Sequence, residues 1–188
     1  SYRRSVRNLK DKCKLVIGID IDNKAAGNPF IDEFRLIKDE HWPVQDSSVD
    51  LCICDFVLEH FEYPEKFFSE LRRVLKSGGY VCIRTPNVLS YFGLGIFLVP
   101  EKYTKRVLGS LQSDREVRDI FKTYYRCNTV RKIKKMFAEN GFSGCVYGYD
   151  SEPAYLFFSR LFYFFGVIYG RIAPKFLRTA IFAFGLKI

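Results

Sequence analysis

The residues of this sequence best suited to chemistry are carboxylates that follow apolar runs. Lys14 to Asp22 reads KLVIGIDID, an apolar stretch ending in acids, which is the pattern of a buried parallel strand meeting a loop. At that point Asp20, with Ile21 after it, can accept hydrogen bonds from both hydroxyls of a ribose. Asp39 and Glu40 come after the apolar stretch Phe34 to Ile37, where a carboxylate can take a proton of an adenine amino group. Cys54 and Asp55 close a third run, Val49 to Cys54 (VDLCIC), where main-chain carbonyls released from the ladder can hold an ammonium group. A single Asp after a strand is more often a turn former. Three in succession carry more weight, because ligands of open parallel sheets bind beyond the carboxyl ends of the strands.

His60 sits beside Glu59 just past the third run. It is a candidate general base that would take a proton from an accepting hydroxyl or amine; the alternative is a loop histidine bonded to backbone. Asn87, Tyr124 and Tyr125 are candidate walls for an acceptor, although two adjacent tyrosines are also ordinary packing groups.

The elements needed to position these groups are legible from their periods. Pro64 to Lys76 places Phe67, Leu71, Val74 and Leu75 on one helical face, with Pro64 in the first turn and Gly78 beyond the end. Tyr80 to Arg84 predicts a strand, stopped by Thr85-Pro86-Asn87 because proline cannot donate to a ladder. Asn128 or Thr129 caps a helix running through Asn140, with Gly141 as its stop and Phe142 to Tyr149 as the next strand. Tyr2 to Lys12 predicts a surface helix, and Thr179 to Lys187 favours strand over helix. Strands alternating with helices predict an α/β fold, a Rossmann-like doubly wound and mostly parallel sheet, in one domain spanning residues 1–188.

Taken in order, Gly18-Ile19-Asp20, Lys38-Asp39 with Trp42-Pro43, Ser48-Val49-Asp50-Leu51, Val57-Leu58-Glu59-His60, Arg73 to Gly79 (RVLKSGG) and Thr85-Pro86-Asn87 form a series. This series resembles the class I S-adenosylmethionine-dependent methyltransferase superfamily, from about Leu15 to Asn87 and more loosely to Phe142. The resemblance implies S-adenosylmethionine as cofactor. Asp20 matches the ribose-binding acid, Asp39 the adenine-binding acid, and Cys54 with Asp55 the segment beside the methionine moiety. Some quinone O-methyltransferases with a similar stretch carry a metal on Glu-x-x-Glu-His; here Phe56 stands at the first Glu position, so no metal is expected.

One part of the family pattern is not seen. Such enzymes open with a strand and a Gly-x-Gly turn that approaches the methionine end of the cofactor, and none precedes Gly18; Gly93-Leu94-Gly95 lies after Asn87. In the family fold that strand is central, between the strands read at Leu15 to Asp20 and Val49 to Cys54. The expectation is an amino-terminally truncated domain, inactive in isolation, whose activity belongs to a parent enzyme. The other two accounts are a shortened non-catalytic form and a chain whose middle strands close up directly.

The net charge of +9 attracts polyanions, whether nucleic acid or an acidic membrane surface. An RNA methyltransferase is disfavoured, because the Arg3-Arg4 and Arg131 to Lys135 clusters come without an attached RNA-binding module. Residues 153–178 are rich in Phe and Tyr and read either as a helical insertion over the substrate cleft or as a membrane-facing segment. The basic stretch Ser1 to Lys14 lacks an apolar core, and the 6 cysteines are irregularly spaced, so a reduced, cytoplasmic protein is expected, free or peripheral on a membrane. The leading expectation is methyl transfer to an O, N or C atom of a small or lipid-like acceptor. A non-catalytic interaction module that keeps the fold is the alternative.

Overall fold

A computed structural model describes residues 8–91, 93, 122–150 and 159–188. The chain divides into two compact units, Ser1–Ser48 and Val49–Ile188. In the first, strands β1 (Ile17–Asp20) and β2 (Glu33–Leu36) pair in parallel, with Asp20 opposite Leu36. Their connection is a short 3-10 turn, Asn23–Gly27, capped by Asp22, whose carboxylate accepts from the Lys24 N–H. At Gly18 on β1 an added Cβ would meet Ile31 Cδ1 at 2.8 Å, so the end of the Ile31 side chain would have to shift. The loop after β2 is held by Arg35, which donates to the Pro43 carbonyl at 2.9 Å, and by the buried Trp42.

In the second unit, β3 (Val49–Asp55), α1 (Pro64–Val74), β4 (Leu75–Pro86), α2 (Val130–Glu139), β5 (Phe142–Tyr149), α3 (Arg160–Ile172) and β6 (Ala180–Lys187) follow one another. The sheet order is β3-β4-β6-β5. β3 and β4 are parallel, whereas β6 runs antiparallel to both β4 and β5. The α/β class and the parallel pairs at the predicted site strands stand as read, and Thr179 onward is a strand. β1 and β3 lie in separate sheets.

Alternation on β4 explains the core. Val81, Ile83 and Thr85 point to one face and are buried with Ile181 and Ala183 of β6. That face is covered by the apolar sides of α1 (Phe67, Phe68, Leu71, Val74) and α2 (Ile133, Met136, Phe137). Phe68 meets Phe137 edge-on at 6.0 Å, and Phe137 meets Phe142 at 5.5 Å. On the opposite face Tyr147 stacks on Phe182 and Phe182 on Phe184, while Leu51, Ile53 and Tyr80 are exposed.

Two expectations are revised. The surface helix over Tyr2 to Lys12 falls partly outside the described residues, and Leu9 to Cys13 makes one hydrogen-bonded turn in which Asp11 adopts φ 69°, a value incompatible with a continuing helix. The first amphipathic helix ends at Val74 rather than Lys76, because Leu75 already pairs with Val49. The next ladder pair joins Leu51 to Tyr80, so the sequence Lys76 to Gly79 bulges out, and Gly78 takes φ 77°. Of the aromatic segment 153–178, residues 153–158 lie outside the described set; the rest forms α3 and a 3-10 turn, Lys175–Leu177.

Phe68 is fully buried between α1, α2 and the sheet. Phe68→Ala is therefore expected to cost about 3–5 kcal/mol of stability, read as a lowered midpoint in urea denaturation followed by circular dichroism. A change below about 1 kcal/mol would show that this helix–sheet interface does not form.

Candidate functional site

The predicted acids of the first unit sit at the carboxyl end of its parallel pair. Asp20 is the last residue of β1, and its main-chain oxygen accepts from the Ile37 N–H at 2.8 Å, which fixes the chain leaving β2 beside it. Its Oδ1 accepts from the Asp22 N–H at 2.9 Å. Asp39 follows β2 by three residues and repeats the device, with Oδ1 accepting from the His41 N–H at 2.8 Å. Each carboxylate is thus held by a local turn through one oxygen, and no hydrogen bond from the described residues engages Oδ2 of either. Ile21 and Glu40 are exposed alongside. Neither acid lies on a helix.

In the second unit the parallel register sets the site. Cys54 lies opposite Ile83 and Asp55 opposite Arg84. The Arg84 guanidinium grips the Asp55 carboxylate through Nε and Nη2, the latter at 2.5 Å, and its carbon stands 4.7 Å from the centroid of the Phe56 ring. Phe56 takes φ 54° as the chain turns out of β3, and its N–H donates to the Arg84 carbonyl at 2.8 Å. Cys54 is buried, with its sulfur 3.8 Å from that of Cys52. The contact with Cys52 and the burial hold the Cys54 thiol well above the ordinary thiol value, so it is protonated at neutral pH.

Past this turn the 3-10 segment Leu58–His60 brings Glu59 inward. Glu59 is buried, and its Oε2 accepts from Thr85 Oγ1 at 2.9 Å; Thr85 in turn accepts from Asn128 Nδ2 at 2.6 Å. The main-chain oxygen of Glu59 accepts from the N–H groups of Tyr124 and Tyr125 at 2.8 and 3.2 Å. His60 Nδ1 lies 2.9 Å from the Lys122 carbonyl, an acceptor, so Nδ1 is the donor and any base chemistry belongs to Nε2. The Lys122 ammonium stands 4.6 Å from the centroid of the Tyr124 ring.

The structure therefore brings Glu59, His60, Thr85, Tyr124 and Asn128 together around the ends of β3 and β4. Asn87 stands differently from its reading as a wall. It is buried, and its Nδ2 donates to the carbonyls of Phe176 and Arg178 at 2.8 and 2.7 Å, clamping the end of β4 to the approach of β6. Sequence reasoning missed Arg84, Thr85 and Asn128. Arg84 was detectable as the cation closing the strand adjacent to Asp55, but Asn128, distant in sequence, carried no local sign beyond its helix-capping character.

Residues 2–83 match the model of a methyltransferase domain family. The chain is 32% identical over 88 residues, 44% of its length and 34% of the relative's, to a probable S-adenosylmethionine-dependent methyltransferase of Mycolicibacterium smegmatis. Residues 2–83 are thus similar in sequence to S-adenosylmethionine-dependent methyltransferase domains. It spans a little over a third of the length of the curated relatives it matches. Its fold is similar to that of a Thermotoga maritima S-adenosylmethionine-dependent methyltransferase, a possible histamine N-methyltransferase (TM-score 0.58, 16% identity, 93% of this chain and 74% of that one). It is also similar to geranyl diphosphate C-methyltransferase of Streptomyces coelicolor, solved with Mg2+, geranyl diphosphate and S-adenosyl-L-homocysteine (TM-score 0.55, 13% identity, 98% and 67%). At these identities the two structures speak to the fold. In the first unit, Asp20 and Asp39 are acceptor-only carboxylates, whose chemistry is compatible with ribose hydroxyls and an amino group. In the second unit, the Asp55 carboxylate is already neutralised by Arg84.

Burial raises the Glu59 carboxyl above its ordinary 4.5, against the opposing pull of its own backbone, the Thr85 hydroxyl and the His60 charge. A raised value in the folded state means that the folded chain keeps its proton where the unfolded chain has lost it. The associated stabilisation is complete below pH 4.5 and is lost as pH rises through the folded-state value. Urea midpoints of the wild type relative to Glu59→Gln should accordingly fall as pH rises above about 4.5. A wild-type-to-variant difference that stays constant with pH would contradict a Glu59 carboxyl raised by burial.

Proposed function

We propose that this chain supplies part of an S-adenosylmethionine-dependent methyltransferase acting on an O, N or C atom of a small or lipid-like acceptor. The observation that carries the reading is the placement of Asp20 and Asp39 at the carboxyl end of one parallel strand pair, in the order and spacing of the family series. When bound, the cofactor supplies a methyl group on a sulfonium, a good leaving group, so the protein's work is alignment and exclusion of water more than covalent help.

In this reading Asp20 accepts from the ribose hydroxyls, with Ile21 beside the sugar, and Asp39 with Glu40 marks the adenine side. The main chain at Cys54 and Asp55 faces the methionine part. His60 takes the acceptor's proton at Nε2, its ring oriented by the Lys122 carbonyl. Tyr124 borders the acceptor, held beside Glu59 through its own N–H. Asn87 acts one layer back by fixing the loop before β6. A cytoplasmic setting, free or peripheral on a membrane, belongs to the same proposal; among the described residues no helix is long and apolar enough to cross a bilayer.

The second reading is a non-catalytic interaction module that keeps the methyltransferase fold. Calorimetric titration of S-adenosyl-L-homocysteine separates the two. Asp20→Ala should weaken binding about 10- to 100-fold, the loss of charge-assisted hydrogen bonds to two hydroxyls. No heat of binding, either for this chain or for a longer form with its upstream sequence, would leave the interaction module as the better account.

A further inference from the structure

The strongest feature that the methyltransferase reading leaves unused is the outer side of α3. Leu161, Phe164, Phe165, Ile168 and Ile172 recur at i, i+3, i+4, i+7 and i+11, which on a helix gathers them within an arc of about 100°. Such a stripe ordinarily faces a protein core. Here all five are exposed, from 36% for Ile168 to 75% for Ile172, and Phe176 in the following turn is 54% exposed. The face toward the protein is made instead of Gly166 and Ala173, which are buried, and Tyr169, whose ring meets Tyr91 at 4.9 Å and whose hydroxyl donates to the Leu177 carbonyl at 2.7 Å. The helix is thus seated by its small residues and by Tyr169, with its large apolar residues outward. An insertion packed over a cleft would have the reverse arrangement.

Charge selects the partner. From Ser159 to Ile188 there is no Asp or Glu, and five cations occur. Arg160 and Arg171 project about 20° apart on one flank of the stripe, and Lys175 continues beyond the helix; all three are exposed. A second copy of the same face would set these cations against one another with no acid to pair them, a juxtaposition that opposes self-association. A surface of anionic lipid meets both requirements at once, giving the rings an acyl boundary and the cations a layer of phosphates. Thirteen residues rise only about 20 Å, short of the roughly 30 Å hydrocarbon layer, so the helix lies along the surface and does not enter end-on.

We infer that α3 and the turn Lys175–Leu177 dock this protein flat on an anionic bilayer. Phe164 and Phe165 are the central anchors, and Arg160, Arg171 and Lys175 meet the headgroup phosphates. Docking involves no methyl transfer, and its failure would leave the methyl-transfer activity proposed above untouched.

The test is co-sedimentation of the full chain with vesicles of phosphatidylcholine, with and without phosphatidylglycerol. The expected result is binding to the phosphatidylglycerol vesicles that weakens in high salt and falls about tenfold or more for the double variant F164S/F165S. The triple variant R160Q/R171Q/K175Q should lose the preference for anionic vesicles. Both sets of substitutions are on exposed positions, and circular dichroism checks that the fold is kept. The proposal is overturned by absence of binding to phosphatidylglycerol vesicles, by binding that F164S/F165S leaves unchanged, or by a vesicle-free dimer that F164S/F165S converts to monomer. Titration of S-adenosyl-L-homocysteine should be the same for F164S/F165S as for the wild type, so a failure of docking and a failure of cofactor binding are told apart.

Discussion

Everything assigned to chemistry in the second unit hangs on the parallel ladder between β3 and β4. Because Cys54 stands opposite Ile83 and Asp55 opposite Arg84, β3 finishes two residues short of the end of β4. The chain leaving β3 then has to turn across the end of β4, and the turn delivers Glu59 to Thr85. A shift of one residue would put Thr85 on the outer face and Arg84 in the core, where an unpaired guanidinium is prohibitive. The ion pair of Asp55 with Arg84 is thus a consequence of register and also one of its guarantors.

Three of the buried polar side chains form a connected set. Glu59, Thr85 and Asn128 come from the turn after β3, the end of β4 and the start of α2, and are joined by two side-chain hydrogen bonds. The arrangement ties three distant stretches at one point. The loop carrying Tyr124 and Tyr125 is attached to the same point by main-chain bonds, so its position follows from the polar cluster without needing apolar contacts of its own.

Much of the fold was legible because it rests on local periodicity. The apolar stripe of α2, its Thr129 cap and the stop at Gly141, where φ is 69°, were all readable, as was β5 from alternation. Asp20 and Asp39 were visible because strand ends in parallel sheets are announced by apolar runs. Legibility failed where a residue's place is decided by a partner far away in sequence. Leu75 satisfies a helical stripe as well as a strand, and only Val49 decides between them. Asn87 reads as an exposed loop residue after a proline, yet carbonyls about ninety positions later bury it. The aromatic segment could not be assigned inward or outward from its composition, since orientation depends on which of its faces is narrow enough to sit against Tyr91.

The order of strands in space also has a bearing on how the molecule is made. β6 comes last along the described chain but lies inside its sheet, hydrogen-bonded on one side to β4 and on the other to β5. During synthesis the ribosome releases β4 and β5 well before the strand that joins them, and each meanwhile offers an unsatisfied backbone edge. Lys187 extends the dependence, since its ammonium binds the carbonyls of Arg72 and Leu75 at the finish of α1, both at 2.6 Å. Nascent chains accordingly pass through an interval in which α1 and two strands remain provisional, with backbone edges open until β6 arrives.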